Sequence, residues 1–362
     1  MPSRQAPPSA HLHRPLLAAA LVAAAALVAA AVLVTGPEAS AADAVQPSTT
    51  AVAVRDQAVT RAERQAVLGY WTPERIAALT EPSSGNPPKG GPDGAPWTGR
   101  SALGRTVGRL FFTDHGEDSS CTATVVDSAN GSTVVTAGHC VNNTDLIGED
   151  NQWTRNVLFV PGYRDGRAPY GKFTGRLGVV APTWLENDQQ HGEVYGAYDQ
   201  AFVVLNTDAR GRTVRTAVGA AQRIGFDRPG DRRVHQFGYP RAVSDPEREG
   251  LPEYTGERLA YCTGRAEQVV GTPEYPAAKG LWGTECIMGG GSSGGPRIAD
   301  LDPESGLGTV VGDNSEGSRL DAAGNACDPW DPAPGCTRHL VGPQFTSTVT
   351  WPLYQRAQHS AR

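Results

Sequence analysis

Lysine is nearly missing from this chain: of 32 basic residues only Lys89, Lys172 and Lys279 are lysines. Acidic residues outnumber basic ones 38 to 32, giving a net charge of −6. That balance excludes a general nucleic-acid binder, whose domains are basic. No sequence period of 20–50 residues is present, which excludes solenoids and propellers. Beyond residue 34 no segment is apolar for long enough to cross a bilayer. The six cysteines contain no C-x₂₋₄-C unit, so a four-cysteine zinc site has little to build on. What the chain has in excess is glycine and proline, 43 and 28 residues of 362. Such a share favours short strands and turns over long helices.

The N-terminal region reads as targeting. Residues 16–34 are 19 uncharged, mostly Ala residues preceded by Arg4 and Arg14. Ala39-Ser40-Ala41 then matches the A-x-A cleavage pattern, so 1–41 is expected to be a signal peptide cut after Ala41. A single membrane anchor is the competing reading, because 19 residues just reach across a bilayer. Export makes the six cysteines a disulfide set. Residues 42–80 form an N-terminal extension, read as a propeptide, in which Thr72-Pro73-Glu74 signals a helix start. A Gly/Pro-rich linker covers 81–102 and separates the extension from a domain over 103–358. There β-rich runs at 107–112, 121–126, 132–136, 156–160, 201–205, 233–237, 258–262 and 308–311 alternate with turn residues. That texture predicts an all-β barrel or sandwich.

Three local patterns carry chemistry. In Val134-Val135-Thr136-Ala137-Gly138-His139-Cys140 a strand runs into a small-residue turn that presents a histidine, the side chain able to take and return a proton near neutrality. Cys121 and Cys140 can bridge adjacent strands there and pin the turn, worth about 3 kcal/mol in the chain-entropy model. In Tyr198-Asp199-Gln200, just before the apolar run 201–205, a carboxylate sits at a strand mouth, where burial demands a donor such as an imidazole N–H. In Gly289-Gly290-Gly291-Ser292-Ser293-Gly294-Gly295-Pro296, glycines permit a backbone with inward-facing N–H groups around a serine. A phosphate loop is the alternative, but no lysine follows.

His139, Asp199 and Ser293, spaced by 60 and 94 residues, stand in the order His, Asp, Ser. This order and the runs TAGHC (136–140) and GSSGGP (291–296) resemble the chymotrypsin/trypsin-like serine peptidase family, above all its secreted actinobacterial members. The resemblance implies two six-stranded antiparallel β-barrels packed face to face, with the active site in the cleft between them. Barrel one, about 103–215, would hold His139 and Asp199, and barrel two, about 230–355, Ser293. It also implies Ser293 as nucleophile, His139 as general base and acid, and Asp199 as its orienting partner. Gly291 and Ser293 would supply the oxyanion-binding N–H groups. The implied enzyme is a secreted, monomeric endopeptidase acting on protein or peptide substrates. It needs no metal or other cofactor and keeps no stable membrane association once the signal is cut. A catalytically silent binding protein on the same fold is the competing reading.

The chain departs from the family pattern in places. Ser292 stands where an aspartate normally pairs with a new N-terminus freed by cleavage, so activation through that ion pair is not expected after Arg105. Ungapped counting puts Ile287 at the base of the substrate pocket and Gly312-Asp313 where the family has Ser and an aromatic residue. Asp313 is read either as a group favouring cationic side chains or as a water-facing turn residue. His339 is read either as a glutamate-reading group or as a surface histidine. Cys262, Cys286, Cys327 and Cys336 allow three pairings, of which Cys262–Cys286 and Cys327–Cys336 are favoured.

Overall fold

Six strands of the first half close on themselves. β2 (Val107–Asp114), β3 (Glu117–Val125), β4 (Thr133–Thr136), β5 (Arg155–Pro161), β6 (Phe173–Val180) and β7 (Ala201–Leu205) pair antiparallel in the order β6-β7-β4-β3-β2-β5. Leu158↔Thr174 and Phe159↔Phe173 then join β5 back to β6 and complete a barrel. Its interior is apolar: Leu110, Val125, Val134, Phe159 and Phe173 are fully buried. Gly108 is small by necessity, since a Cβ there would lie 2.5 Å from Val160 O. The computed structural model describes residues 52–80, 94–144, 150–186, 195–241, 250–329 and 333–361. All of these belong to the compact unit Thr49–Arg362. The targeting segment and residues 81–93 lie outside the described residues.

The described part of the extension is not set apart from the barrel. Its strand β1 (Ala53–Asp56) pairs antiparallel with β6, Ala53 opposite Val180 and Asp56 opposite Leu177. Helix α1 (Arg61–Tyr70) starts from a capping box in which Thr60 Oγ1 accepts from Glu63 N and Glu63 accepts from Thr60 N. Thr72 caps α2 (Pro73–Ala77), with Pro73 at its first position. Trp71 between them is 1% exposed and packs on Phe111, while its indole N–H donates to Asn156 O at 2.5 Å. Leu79 O accepts from Arg109 Nη2 at 2.9 Å, and Thr80 Oγ1 donates to Glu257 at 2.6 Å. Arg109 is itself fully buried and bonded to Glu257 at 3.2 Å. The extension thus completes the solvation of a buried cation.

The second half is made of two sheets. β8 (Arg223–Ile224), β9 (Arg233–Gly238), β10 (Ala260–Arg265), β12 (Pro296–Asp302) and β13 (Leu307–Asp313), with residues Ala95–Pro96, make a six-stranded sheet. β11 (Leu281–Glu285), β14 (Glu316–Leu320) and β15 (Thr337–Pro343), with Glu267–Gln268, make a four-stranded one. No ladder among the described residues joins the two sheets. A single bridge, Gly312↔Gln344, the backbone bonds from Phe345 N to Val311 O and from Ser315 N to Val341 O, and several side chains do so instead. Arg297 on β12 donates to the carbonyls of Trp282, Gly342 and Pro343, and Gln236 on β9 reaches Thr284 and Leu340. The disulfide Cys262–Cys286 crosses the same seam. Finally, α3 (Thr350–Gln358) lies over barrel one, where Tyr354 packs on Phe202 and Thr350 Oγ1 donates to Gln200.

Candidate active site

Strand register brings His139 and Asp199 together. Ala201 on β7 pairs with Thr136 on β4, so the residue two before one strand and the residue three after the other emerge at the same end of the sheet. His139 lies on the helical turn Gly138–Cys140, and Asp199 follows the turn Gly196–Tyr198. Asp199 Oδ2 is 2.8 Å from His139 Nδ1, and Oδ1 accepts the His139 backbone N–H at 2.8 Å. Gly138 admits this approach: a Cβ there would meet Asp199 Oδ1 at 3.0 Å and the Trp184 ring at 2.9 Å. Asp199 is 4% exposed. Burial alone would raise its carboxyl, but the His139 charge and the bonds from His139 and Ser315 hold it below the usual range. Burial pulls the His139 imidazole down, yet Asp199 outweighs that and leaves it above the usual value.

The turn at 289–295 is held by its carbonyls. Gly290 O accepts from Arg241 N, Gly291 O from Thr122 Oγ1, Ser292 O from Gly295 N and Asn314 Nδ2, and Ser293 O from Thr122 N. With the carbonyls drawn outward, the N–H groups of Gly291 and Ser293 have no protein acceptor among the described residues. Positive φ at Gly291 (92°) and Gly294 (75°) makes this path possible. A Cβ on Gly294 would sit 2.0 Å from Thr136 Oγ1 and 2.7 Å from Ala137 N, which sets the turn tightly against the segment leading to His139. Thr122 therefore couples the Ser293 turn to the neighbouring disulfide Cys121–Cys140. All the hydrogen bonds of His139 run to Asp199 and none to Ser293 Oγ among the described residues. Such contacts are often long without substrate.

Two groups the sequence reading did not identify complete the picture. Ser315 donates a short hydrogen bond to Asp199 Oδ2. Asn314 beside it is fully buried and bonded to the Ser293 turn. Ser315, and not Gly312 or Asp313, is therefore the residue bonded to the carboxylate. Asp313 is not a water-facing turn residue: it is fully buried, with no hydrogen-bond partner on either oxygen. Burial and the nearby Asp199 charge push its carboxyl well above the usual range, against the pull of Arg297. His339 is 3% exposed, which removes the surface reading, and its Nε2 lies 3.6 Å from Glu267. The third bridge joins Cys327 to Cys336.

No protein-family model matches the chain. Among solved structures, a thermostable serine protease, AL20, from an extremophilic microorganism is 28% identical at a TM-score of 0.53, over 72% of this chain and all of that one. The protease Anisep from Arthrobacter nicotinovorans is 30% identical at a TM-score of 0.52, over 71% of this chain and 96% of its own. The chain belongs to the trypsin-like serine peptidase family. A Glu endopeptidase shares the fold at 18% identity and a TM-score of 0.50. An extracellular metalloprotease of Bacillus subtilis (strain 168) is 32% identical to this trypsin-like peptidase over 86 residues. That match spans 24% of the chain and 23% of the relative. The one His/Cys/Asp/Glu cluster among the described residues is Cys121, His139 and Cys140, and both sulfurs are spent in a disulfide. A bridged sulfur has no thiolate to give.

Proposed function

We propose that this trypsin-like peptidase is a secreted endopeptidase that cleaves protein or peptide substrates through an acyl-enzyme on Ser293. The observation that carries the reading is the buried Asp199–His139 pair at 2.8 Å, set beside a turn whose Gly291 and Ser293 N–H groups lack a protein acceptor. Ser293 Oγ attacks the substrate carbonyl as His139 Nε2 takes its proton. The carbonyl oxygen becomes an anion received by Gly291 N–H and Ser293 N–H. His139 then returns the proton to the leaving amine, and a water repeats the sequence to free the acid. Asp199 remains ionised, orients the imidazole and stabilises it while it is cationic. Three disulfides and the extracellular relative support export, with residues 1–41 as the signal removed on the way.

The test is fluorophosphonate labelling of the full chain, repeated with Ser293→Ala. Stoichiometric labelling lost in the variant is the expected result. An unlabelled wild type would leave the silent binding protein in its place.

A further inference from the structure

Trypsin-like peptidases with an aspartate before the nucleophile draw that turn into shape with an ammonium group. Here the position is Ser292, fully buried, with no hydrogen-bond partner on its hydroxyl. In the full chain the Thr106 N–H donates to Ala102 O inside the helical turn Leu103–Thr106. Something else must fix the turn.

Asn314 occupies that role geometrically. Its backbone N–H donates to Gly295 O at 2.8 Å, and its carbonyl accepts from Gly294 N at 2.7 Å. Its side-chain amide donates to Ser292 O at 3.1 Å and to Phe237 O at 2.9 Å. Its Oδ1 accepts from Gln236 Nε2 at 2.8 Å. Gln236 is fixed in turn, because its Oε1 accepts both Thr284 N and Thr284 Oγ1 at 2.7 Å and its Nε2 also reaches Leu340 O at 2.9 Å. Thr284 N is a donor and nothing else, so it sets the orientation of the Gln236 amide and, through it, that of Asn314. Gln236 and Asn314 are completely buried and Thr284 is 1% exposed, so this chain of amides has no water to exchange with.

We infer that Asn314, oriented by Gln236, is the positioning residue that presets the nucleophile turn, so that this chain carries a formed oxyanion site without a newly cut N-terminus. Holding Ser292 O outward keeps the following N–H, that of Ser293, facing the cleft. The inference rests on the reading of Ser293 as nucleophile.

It is tested on the full chain. Wild type, Asn314→Leu, Thr284→Val and Ser293→Ala are compared by kcat and KM on a peptide substrate, and by inhibition with a peptide boronate, whose adduct fills the oxyanion site. The mass of the fluorophosphonate-labelled species reports whether it has been cut. In Asn314→Leu, kcat falls roughly 100-fold, the order seen when an oxyanion donor is lost. KM stays within about threefold and boronate affinity falls in parallel with kcat/KM, as expected for an interaction used only near the transition state. Labelled wild type retains the peptide bond before Thr106. If Asn314→Leu does not fold, Thr284→Val, which removes the Oγ1 donor to Gln236 and keeps the Thr284 N–H, carries the test with a smaller loss of kcat at unchanged KM. The inference is overturned if kcat is unaffected, if KM rises as much as kcat falls, or if only chain cut before Thr106 is labelled. Labelling that survives Ser293→Ala would instead overturn the reading beneath it.

Discussion

Truncating Trp71 should tell whether the N-terminal extension is structural. The indole is 1% exposed, its ring centroid lies 5.4 Å from that of Phe111, and its N–H holds Asn156 O. Trp71→Ala removes all of this and leaves a cavity on the outside of β5, at a cost of about 3–5 kcal/mol. Trp71→Phe keeps most of the packing and loses the hydrogen bond, about 1–3 kcal/mol for the orphaned carbonyl. With an unfolding entropy of roughly 2.1 cal/mol/K per residue over a unit of about 310 residues, the Ala variant melts about 5–8 °C lower and the Phe variant about 2–5 °C lower. Calorimetry of the full chain, with mass spectrometry to show that residues 52–80 are present, is the assay. Melting of both variants within about 1 °C of wild type would refute the packing argument, since a buried indole cannot be removed without cost from a segment that belongs to the fold.

Ser315→Ala strips a hydrogen bond from a buried carboxylate, about 1.5–3 kcal/mol, so melting should fall by about 2–5 °C and kcat/KM by about tenfold or more. Because Asp199 holds the His139 imidazole above its usual value, kcat/KM should rise with pH through a midpoint on the alkaline side of an ordinary histidine. The linked stability runs the other way. The raised His139 contributes fully below its unfolded value and is lost as pH rises through its folded one. Asp199, held low, contributes above the usual carboxylate range and is lost as pH falls through its folded value. Activity and melting temperature are therefore expected to move in opposite directions across the His139 titration. Gly294→Ala, at φ 75° and against Thr136 Oγ1, should abolish fluorophosphonate labelling even where circular dichroism shows folded protein. Glu257→Gln leaves the buried Arg109 guanidinium uncompensated and should cost about 3–5 kcal/mol in urea unfolding.

The first barrel was legible because its strands are apolar and bounded by turns: 201–205 coincides with β7, and 107–112 and 121–126 fall on β2 and β3. β6 escaped because Gly175 and Gly178 break its apolar run, where Val157 and Val141 leave no room for a side chain. β14 and β15 escaped because Glu-Gly-Ser-Arg and Thr-Arg-His read as loop, although the ladder they share satisfies their backbone. The motifs around His139, Asp199 and Ser293 are continuous in sequence and so could be read directly. Ser315 could not be counted to from Ser293, because the β12–β13 pair carries register shifts after Arg297 and after Ala299. Asn314 is informative only when Gln236, Thr284 and Ser292, from three other segments, are seen around it.

A peptidase shares its solution with copies of itself, and the way its two halves are closed decides where it is first attacked. The half carrying His139 and Asp199 ends in a ladder with no free edge between β5 and β6. The half carrying Ser293 is joined across its seam by one isolated bridge, Gly312↔Gln344, by two further backbone bonds, by Arg297 and Gln236, and by one disulfide. Opening that seam away from the disulfide breaks an isolated bridge and scattered backbone and side-chain bonds, not a continuous ladder, so it is the lower-energy excursion. Cleavage follows the population of open forms. Self-digestion should therefore begin in the half that carries Ser293, and would remove Ser293 while the strands that carry His139 and Asp199 still stand.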